Sequence, residues 1–129
     1  MAKTKQFTIT VQNRPGSVLE IARILGNAKV NLLSLLATAQ GTTGTVQLIA
    51  EDARRARKAL DDARVIYHET SAEEFELSNK PGALADHLAK LAVKGVNLNS
   101  IHATAPKGGK RAVLVYTVEA AARAAAASA

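Results

Sequence analysis

Phe7, Ile9 and Val11 alternate with Thr8, Thr10 and Gln12, the two-residue period of a strand with one buried face. Pro15 and Gly16 then stop it. From Ser17 the apolar positions Val18, Ile21, Ala22 and Leu25 fall at helical spacing, and Gly26 with Asn27 supplies an ending. Val30 to Ala39, rich in leucine and valine, reads as a second strand, Gly41 to Gly44 as a turn and Val46 to Ala50 as a third strand. Asp52 is placed to cap a second helix reaching about Asp62, and Val65, Ile66 and Tyr67 read as a fourth strand.

The same pattern then begins again. Phe75 and Leu77 mark a strand, Leu84, Leu88 and Leu91 a helix, and Val96 to Ala105 with Arg111 to Val118 a hairpin turned at Lys107-Gly108-Gly109-Lys110. Residue identities repeat with it. Asn13-Arg14-Pro15-Gly16 returns as Asn79-Lys80-Pro81-Gly82, Val30-Asn31-Leu32 as Val96-Asn97-Leu98, and Ala37-Thr38-Ala39 as Ala103-Thr104-Ala105. Each is displaced by 66 positions (81 − 15 = 66). Leu48 matches Leu114 at the same displacement, so the reading places no insertion between Asn13 and Leu48.

The expected fold is therefore α+β, a ferredoxin-like βαββαβ unit used twice, in domains spanning 1–70 and 71–129. Its antiparallel sheets are expected to pair side by side with the helices on one face. After Glu119 only an alanine-rich stretch with Arg123 remains, suited to a last helix, so the final strand of the second repeat is expected to be missing. Such an edge needs a cover, and a homodimer partner is the expected one.

Composition narrows the classes. Of 129 residues 47% are hydrophobic and 22% charged, the balance of an ordinary globular protein. No apolar run is long enough for a membrane span, and no signal peptide is read, so a cytoplasmic location is expected. The absence of cysteine excludes disulfides and thiolate chemistry. The net charge of +6 raises nucleic acid as a partner, but the one dense basic cluster, Arg54, Arg55, Arg57 and Lys58, is bracketed by Glu51, Asp52, Asp61 and Asp62 and reads as a solvated helix face.

The repeated loop carries the candidate chemistry. With Asn13 ending a strand and Pro15-Gly16 opening a helix, the first-turn amides lack intrahelical partners and offer a carboxylate site. Pro15 and Pro81 are expected at the first helical position, where the missing amide costs nothing. Gly16 and Gly82 permit close approach, the amides from Ser17 and Ala83 onward bind carboxylate, and the Asn13 and Asn79 side chains supply a donor and an acceptor. Asn31 and Asn97, each 18 positions beyond (31 − 13 = 18), are expected to reach the loop of the other copy, with Leu33 or Ile101 selecting the ligand side chain. A small zwitterion fits. The alternative is that all four asparagines are local caps and turn formers.

Asn-x-Pro-Gly, a helix and then Val-Asn-Leu within this unit resembles the ACT domain, and the whole chain resembles small stand-alone bacterial proteins built from two such domains. The resemblance implies a regulatory module that binds a free amino acid at the interface of two ACT domains, without catalysis, cofactor or metal, with an enzyme or regulator as partner in trans. It extends to serine-regulated phosphoglycerate dehydrogenases, whose effector-binding asparagines match Asn13 and Asn31, and Asn79 and Asn97. The histidine of those enzymes is replaced here by Val11 and Leu77, so serine specificity does not carry over.

Other chemistry finds no seat. His68, His87 and His102 lack metal-site spacing, Lys107 to Arg111 lacks the context of a nucleotide loop, and no nucleophile has a partnered base. An RNA-recognition motif shares the element order but needs exposed aromatics, and only Phe7, Tyr67, Phe75 and Tyr116 are available. RNA binding is the distant alternative, and a ligand-free dimerisation scaffold the nearer one.

Overall fold

Ser17, Ile21 and Leu25 fall on one stripe of the helix α1 (Ser17–Asn27), and all three are buried. The strand before it, β1, is Ala2–Gln12, and the hairpin after it is β2 (Leu32–Gln40) and β3 (Thr43–Ala50). Helix α2 (Ala53–Asp62) starts at Asp52, whose carboxylate accepts the Arg55 amide at 3.1 Å. Strand β4 (His68–Ser78), helix α3 (Ala83–Val93) and the strands β5 (Leu98–Thr104) and β6 (Arg111–Val118) complete the order. This computed structural model describes residues 2–118. The expected alanine-rich last helix lies outside the described residues.

The expected fourth strand at Val65 to Tyr67 does not form. Arg64 takes left-handed angles (φ 58°) and the Val65 amide returns to the Leu60 carbonyl, so these residues close the helix end. Val65 and Tyr67 pack on the core while Ile66 is 89% exposed. The alternation thus reports the burial of a connector. The ladder starts at His68 and runs on without a break through Phe75 and Leu77, one strand where the sequence suggested two.

The chain divides into two units, one of residues 5–70 and one of residues from Ser71 onward together with the first residues up to Thr4. In the first, the strand order is β2-β3-β1, with Phe7 opposite Leu48. In the second it is β4-β6-β5, with Glu73 opposite Tyr116. Both long strands are shared out, since Ala2–Thr4 of β1 belongs to the second unit and His68–Thr70 of β4 to the first. Within the second unit Ala2–Thr4 is therefore grouped with β4, β5 and β6.

The registers correct the repeat. Up to the second strand of each unit the displacement is 66, but Leu35 faces Leu48 while Ile101 faces Tyr116, so beyond the hairpin it is 68 (116 − 48 = 68). Leu48 therefore corresponds to Tyr116 and Val46 to Leu114. Pro106 stands at the counterpart of Gln40 (40 + 66 = 106) and has no amide for the ladder, so β5 stops early. A longer, basic tip succeeds it, in which the Gly109 amide reaches the Pro106 carbonyl at 2.9 Å. A Cβ at Gly109 would lie 3.0 Å from that carbonyl oxygen, so a larger residue there requires the Pro106 turn to give.

Each unit has its own core. The first gathers Phe7, Ile9, Ile21, Leu25, Val46, Leu48 and Leu60, and its positions are apolar throughout. The second gathers Phe75, Leu91, Val96, Leu114, Tyr116 and Val118. Three of its corresponding positions are titratable: Glu73 for Phe7, His87 for Ile21 and Tyr116 for Leu48. All three are buried. Phe75 stacks on Tyr116 with centroids 5.5 Å apart and meets the His87 ring at 4.6 Å.

Burial, and secondarily the Lys90 charge, hold His87 below the usual histidine value. The unfolded chain therefore takes up a proton first as pH falls. Its neutral form stabilises the fold above about pH 6.5, and that contribution is lost as pH drops through the lower folded value. We expect thermal melts to fall between neutral and mildly acidic pH, and His87→Leu to flatten that part of the profile. An unchanged profile in the variant would remove His87 as the cause.

Candidate functional site

Pro15 and Gly16 occupy the two central positions of a tight turn. The Ser17 amide reaches the Arg14 carbonyl at 3.3 Å, and Gly16 sits at φ 90°, ψ −10°. These are the angles of a type II turn, which places proline second and demands glycine third. The second copy repeats it, with Ala83 bonded to Lys80 at 3.2 Å and Gly82 at φ 85°, ψ −15°. Pro15 and Pro81 thus lie ahead of the helix, not at its first position as the sequence suggested. Gly16 and Gly82 are the cap residues, and no side chain caps either helix. The Ser17 and Ala83 amides are used in the turns. The Val18 and Leu19 amides, and those of Leu84 and Ala85, have no intrahelical partner.

Asn13 holds the other wall. Its amide bonds to Thr42 at 3.0 Å, and its Nδ2 donates to the Gly41 carbonyl at 2.8 Å. Asn79 repeats this, with its amide to Lys110 at 2.9 Å and Nδ2 to Gly109 at 2.8 Å. Only the NH₂ group can face a carbonyl, so the Oδ1 atoms remain as acceptors. The donor end of each asparagine pins a hairpin tip, the local role that the alternative reading expects, and neither Oδ1 has a hydrogen bond among the described residues.

Asn31 stands elsewhere. It bonds Glu51 through its Nδ2 at 3.0 Å and accepts the Glu51 amide at 2.8 Å. Glu51 comes directly after β3, so Asn31 lies at the far end of the hairpin from Asn13, roughly 27 Å away along eight residues of strand. The two do not meet within a unit. Asn97, before β5, likewise lies at the far end of its hairpin from Asn79.

Between the helix start and the sheet each unit has a half-open cavity, about 190 Å³ in the first and 180 Å³ in the second. The first is lined from Val11 to Arg14, by Ser17 and Val18, by Ala37 to Ala39, and by Gly44 to Val46. The second is lined from Leu77 to Lys80, by Ala83 and Leu84, by Ala103 to Ala105, and by Ala112 to Leu114. With the displacement of 66 before the hairpin and 68 after it, every lining position of one cavity is a lining position of the other. Asn13, Ser17, Asn79 and Ala83 are in these walls; Pro15, Gly16, Pro81 and Gly82 shape the turns beside them. Asn31, Asn97, Leu33 and Ile101 are in neither. The Ala-Thr-Ala walls were signalled by their own repetition in the sequence.

The remaining candidates resolve by burial. Phe7 and Tyr116 are fully buried, Phe75 nearly so, and Tyr67 packs edge-on against Phe7, so those rings are not offered to bases. In the basic cluster Lys58 pairs with Asp62 at 2.9 Å, and Arg57 pairs with Glu69. Among the described residues no group of histidines and carboxylates could hold a metal, and no helix is long and apolar enough to cross a membrane.

Comparison with known proteins agrees with this architecture. The family model for the ACT domain pair matches residues 2–127. The protein BT0572 from Bacteroides thetaiotaomicron superposes with a TM-score of 0.83 at 26% identity, over 94% of this chain and 83% of that one. The ligand-free regulatory subunit of aspartate kinase from Thermus thermophilus gives 0.70 at 14% identity, over 98% and 89%. That from Thermus flavus gives 0.60 at 14%, over 96% and 87%. No curated protein matches the chain.

Proposed function

Because the chain belongs to the ACT domain pair family, a family of regulatory modules, we propose that it senses a free amino acid and passes the occupied state to an enzyme or regulator in trans. The observation that carries the reading is the doubled cavity under an uncapped helix start. The ligand carboxylate takes the free first-turn amides, Val18 and Leu19 in one unit and Leu84 and Ala85 in the other. The ammonium takes Oδ1 of Asn13 or Asn79. Pro15-Gly16 and Pro81-Gly82 set the turn that leaves the helix uncapped, and Ser17 and Ala83 form the floor. Asn31 and Asn97 contribute only from a neighbouring domain. No catalytic step is assigned to the chain.

A homodimer is part of the proposal. Strand β2 has no charged residue, and Leu33, Leu35 and Leu36 on it are each more than a third exposed. An uncharged apolar edge calls for a cover, and a second copy supplies one. The same strand favours a ligand-free scaffold as the second reading.

Thermal melts of the full chain with each of the twenty amino acids separate the two. A ligand at a hundred times its Kd adds about 2.7 kcal/mol to the fold that binds it. Asn13→Ala, scored against its own ligand-free melt because it also frees the hairpin tip, is expected to reduce the shift, and Asn13→Ala with Asn79→Ala to abolish it. No shift with any of the twenty would leave the scaffold.

A further inference from the structure

The two cavities share their positions but not their chemistry: at the rim Gln12 becomes Ser78 and Arg14 becomes Lys80, while the positions facing the helix start turn more apolar in the second unit. On β1 and its counterpart, Val11 becomes Leu77; on the helix, Ser17 becomes Ala83 and Val18 becomes Leu84; beyond the hairpin, Gly44 becomes Ala112 and Val46 becomes Leu114. Every one of these adds carbon or removes a hydroxyl. Alternation along the strands places Val11 and Val46 on the face that meets the helices, so these are the cavity's own walls.

Ser17 is 94% buried, yet among the described residues its hydroxyl has no hydrogen-bond partner, although it lies beside a cavity. The hydroxyl is not among the fully buried unpartnered atoms and so keeps access to water; an apolar ligand group that shut that water out would leave it unpaired, and a polar one would satisfy it. On its other side the same serine borders a second cavity of about 350 Å³, lined also by Arg14, Glu20 and Arg64, none of which has an ion-pair partner among the described residues.

We propose that the two sites take different amino acids: the first a hydrophilic one, held at its side chain by Ser17 and the adjoining charged cavity, and the second an aliphatic one, packed against Leu77, Leu84 and Leu114. The molecule then reports two concentrations at once. This rests on the sensing function proposed above and refines it. The discrimination comes from the unequal cost of misplacing groups. A hydroxyl or charge forced against Leu84 loses its water without a partner, and an aliphatic side chain at the first site leaves Ser17 unpaired.

Isothermal titration of the full chain tests it with L-serine, L-threonine, L-aspartate and L-glutamine as hydrophilic probes and L-valine, L-leucine and L-isoleucine as aliphatic ones. One probe of each class should bind at one per chain, and saturation with either should leave the other's stoichiometry unchanged. Ser17→Ala should weaken the hydrophilic probe at least ten-fold and spare the aliphatic one. Leu84→Ser, at a position already 39% exposed and so tolerant of change, should do the reverse. Arg54→Ala, a cation outside both cavities, should alter neither. One probe filling both sites equally, or Ser17→Ala leaving the hydrophilic probe unaffected, would overturn the unequal sites while amino-acid sensing stood. Failure of all twenty amino acids to bind would overturn both.

Discussion

Leu48→Ala is expected to remove about 3 kcal/mol of stability, with the loss concentrated in residues 5–70. The side chain is fully buried on the central strand β3, opposite Phe7, and belongs to the core formed with Ile9, Leu25 and Leu60. Truncation gives up the transfer free energy of the lost carbons and leaves a void that a sheet position can only partly close. The second unit's core is a separate cluster, so hydrogen exchange should quicken in β1, β3, α1 and α2 and change little in β5 and β6. Denaturant melts give the magnitude. A loss under about 1 kcal/mol would mean that the neighbours refill the site and that this core is looser than its burial indicates.

Glu73→Leu should act in the opposite sense, raising stability by about 2 kcal/mol. Glu73 is 2% exposed, and neither carboxylate oxygen has a hydrogen-bond partner among the described residues. It occupies the place of Phe7, so an apolar side chain of this bulk is already accommodated at the corresponding position of the first unit. A second readout accompanies the melt. Burial pushes the Tyr116 phenol up to about 12, and the Glu73 charge adds to the rise. The variant should therefore bring the Tyr116 ultraviolet titration down while leaving that of Tyr67 in place. If the variant melts at or below the parent temperature, Glu73 has a stabilising partner and the carboxylate is there for structure.

Much of this was legible in the residues because local rules and the fold point the same way. Asp52 caps α2 as its side chain permits, Ser17 to Asn27 forms the helix its apolar spacing requires, and Arg111 to Val118 is a strand with the expected ends. The misreadings share a cause, which is that spacing records burial and not hydrogen bonding. Val65 and Tyr67 alternate with Ile66 because a connector touches the core on one side. Leu48 and Leu114 are identical, yet Leu48 has Tyr116 as its counterpart, because Pro106 ends β5 early and the longer tip displaces β6 by two positions. Pro15 was misplaced by two positions, since a type II turn and a helix start both favour Pro-Gly and only the angles at Gly16 distinguish them. The cavity walls at Val11 and Val46 could not be seen as such, because a residue that lines a hole and one that fills a core are the same valine in the sequence.

The division of β1 between the units has a bearing on how the molecule is made. Among the described elements Ala2–Thr4 comes first in chain order and β6, a neighbour of β4, comes last. The second unit must therefore join Ala2–Thr4 to the residues from Ser71 onward across the intervening residues 5–70, a loop closure that slows folding. A gene split after residue 70 would not yield two self-sufficient halves.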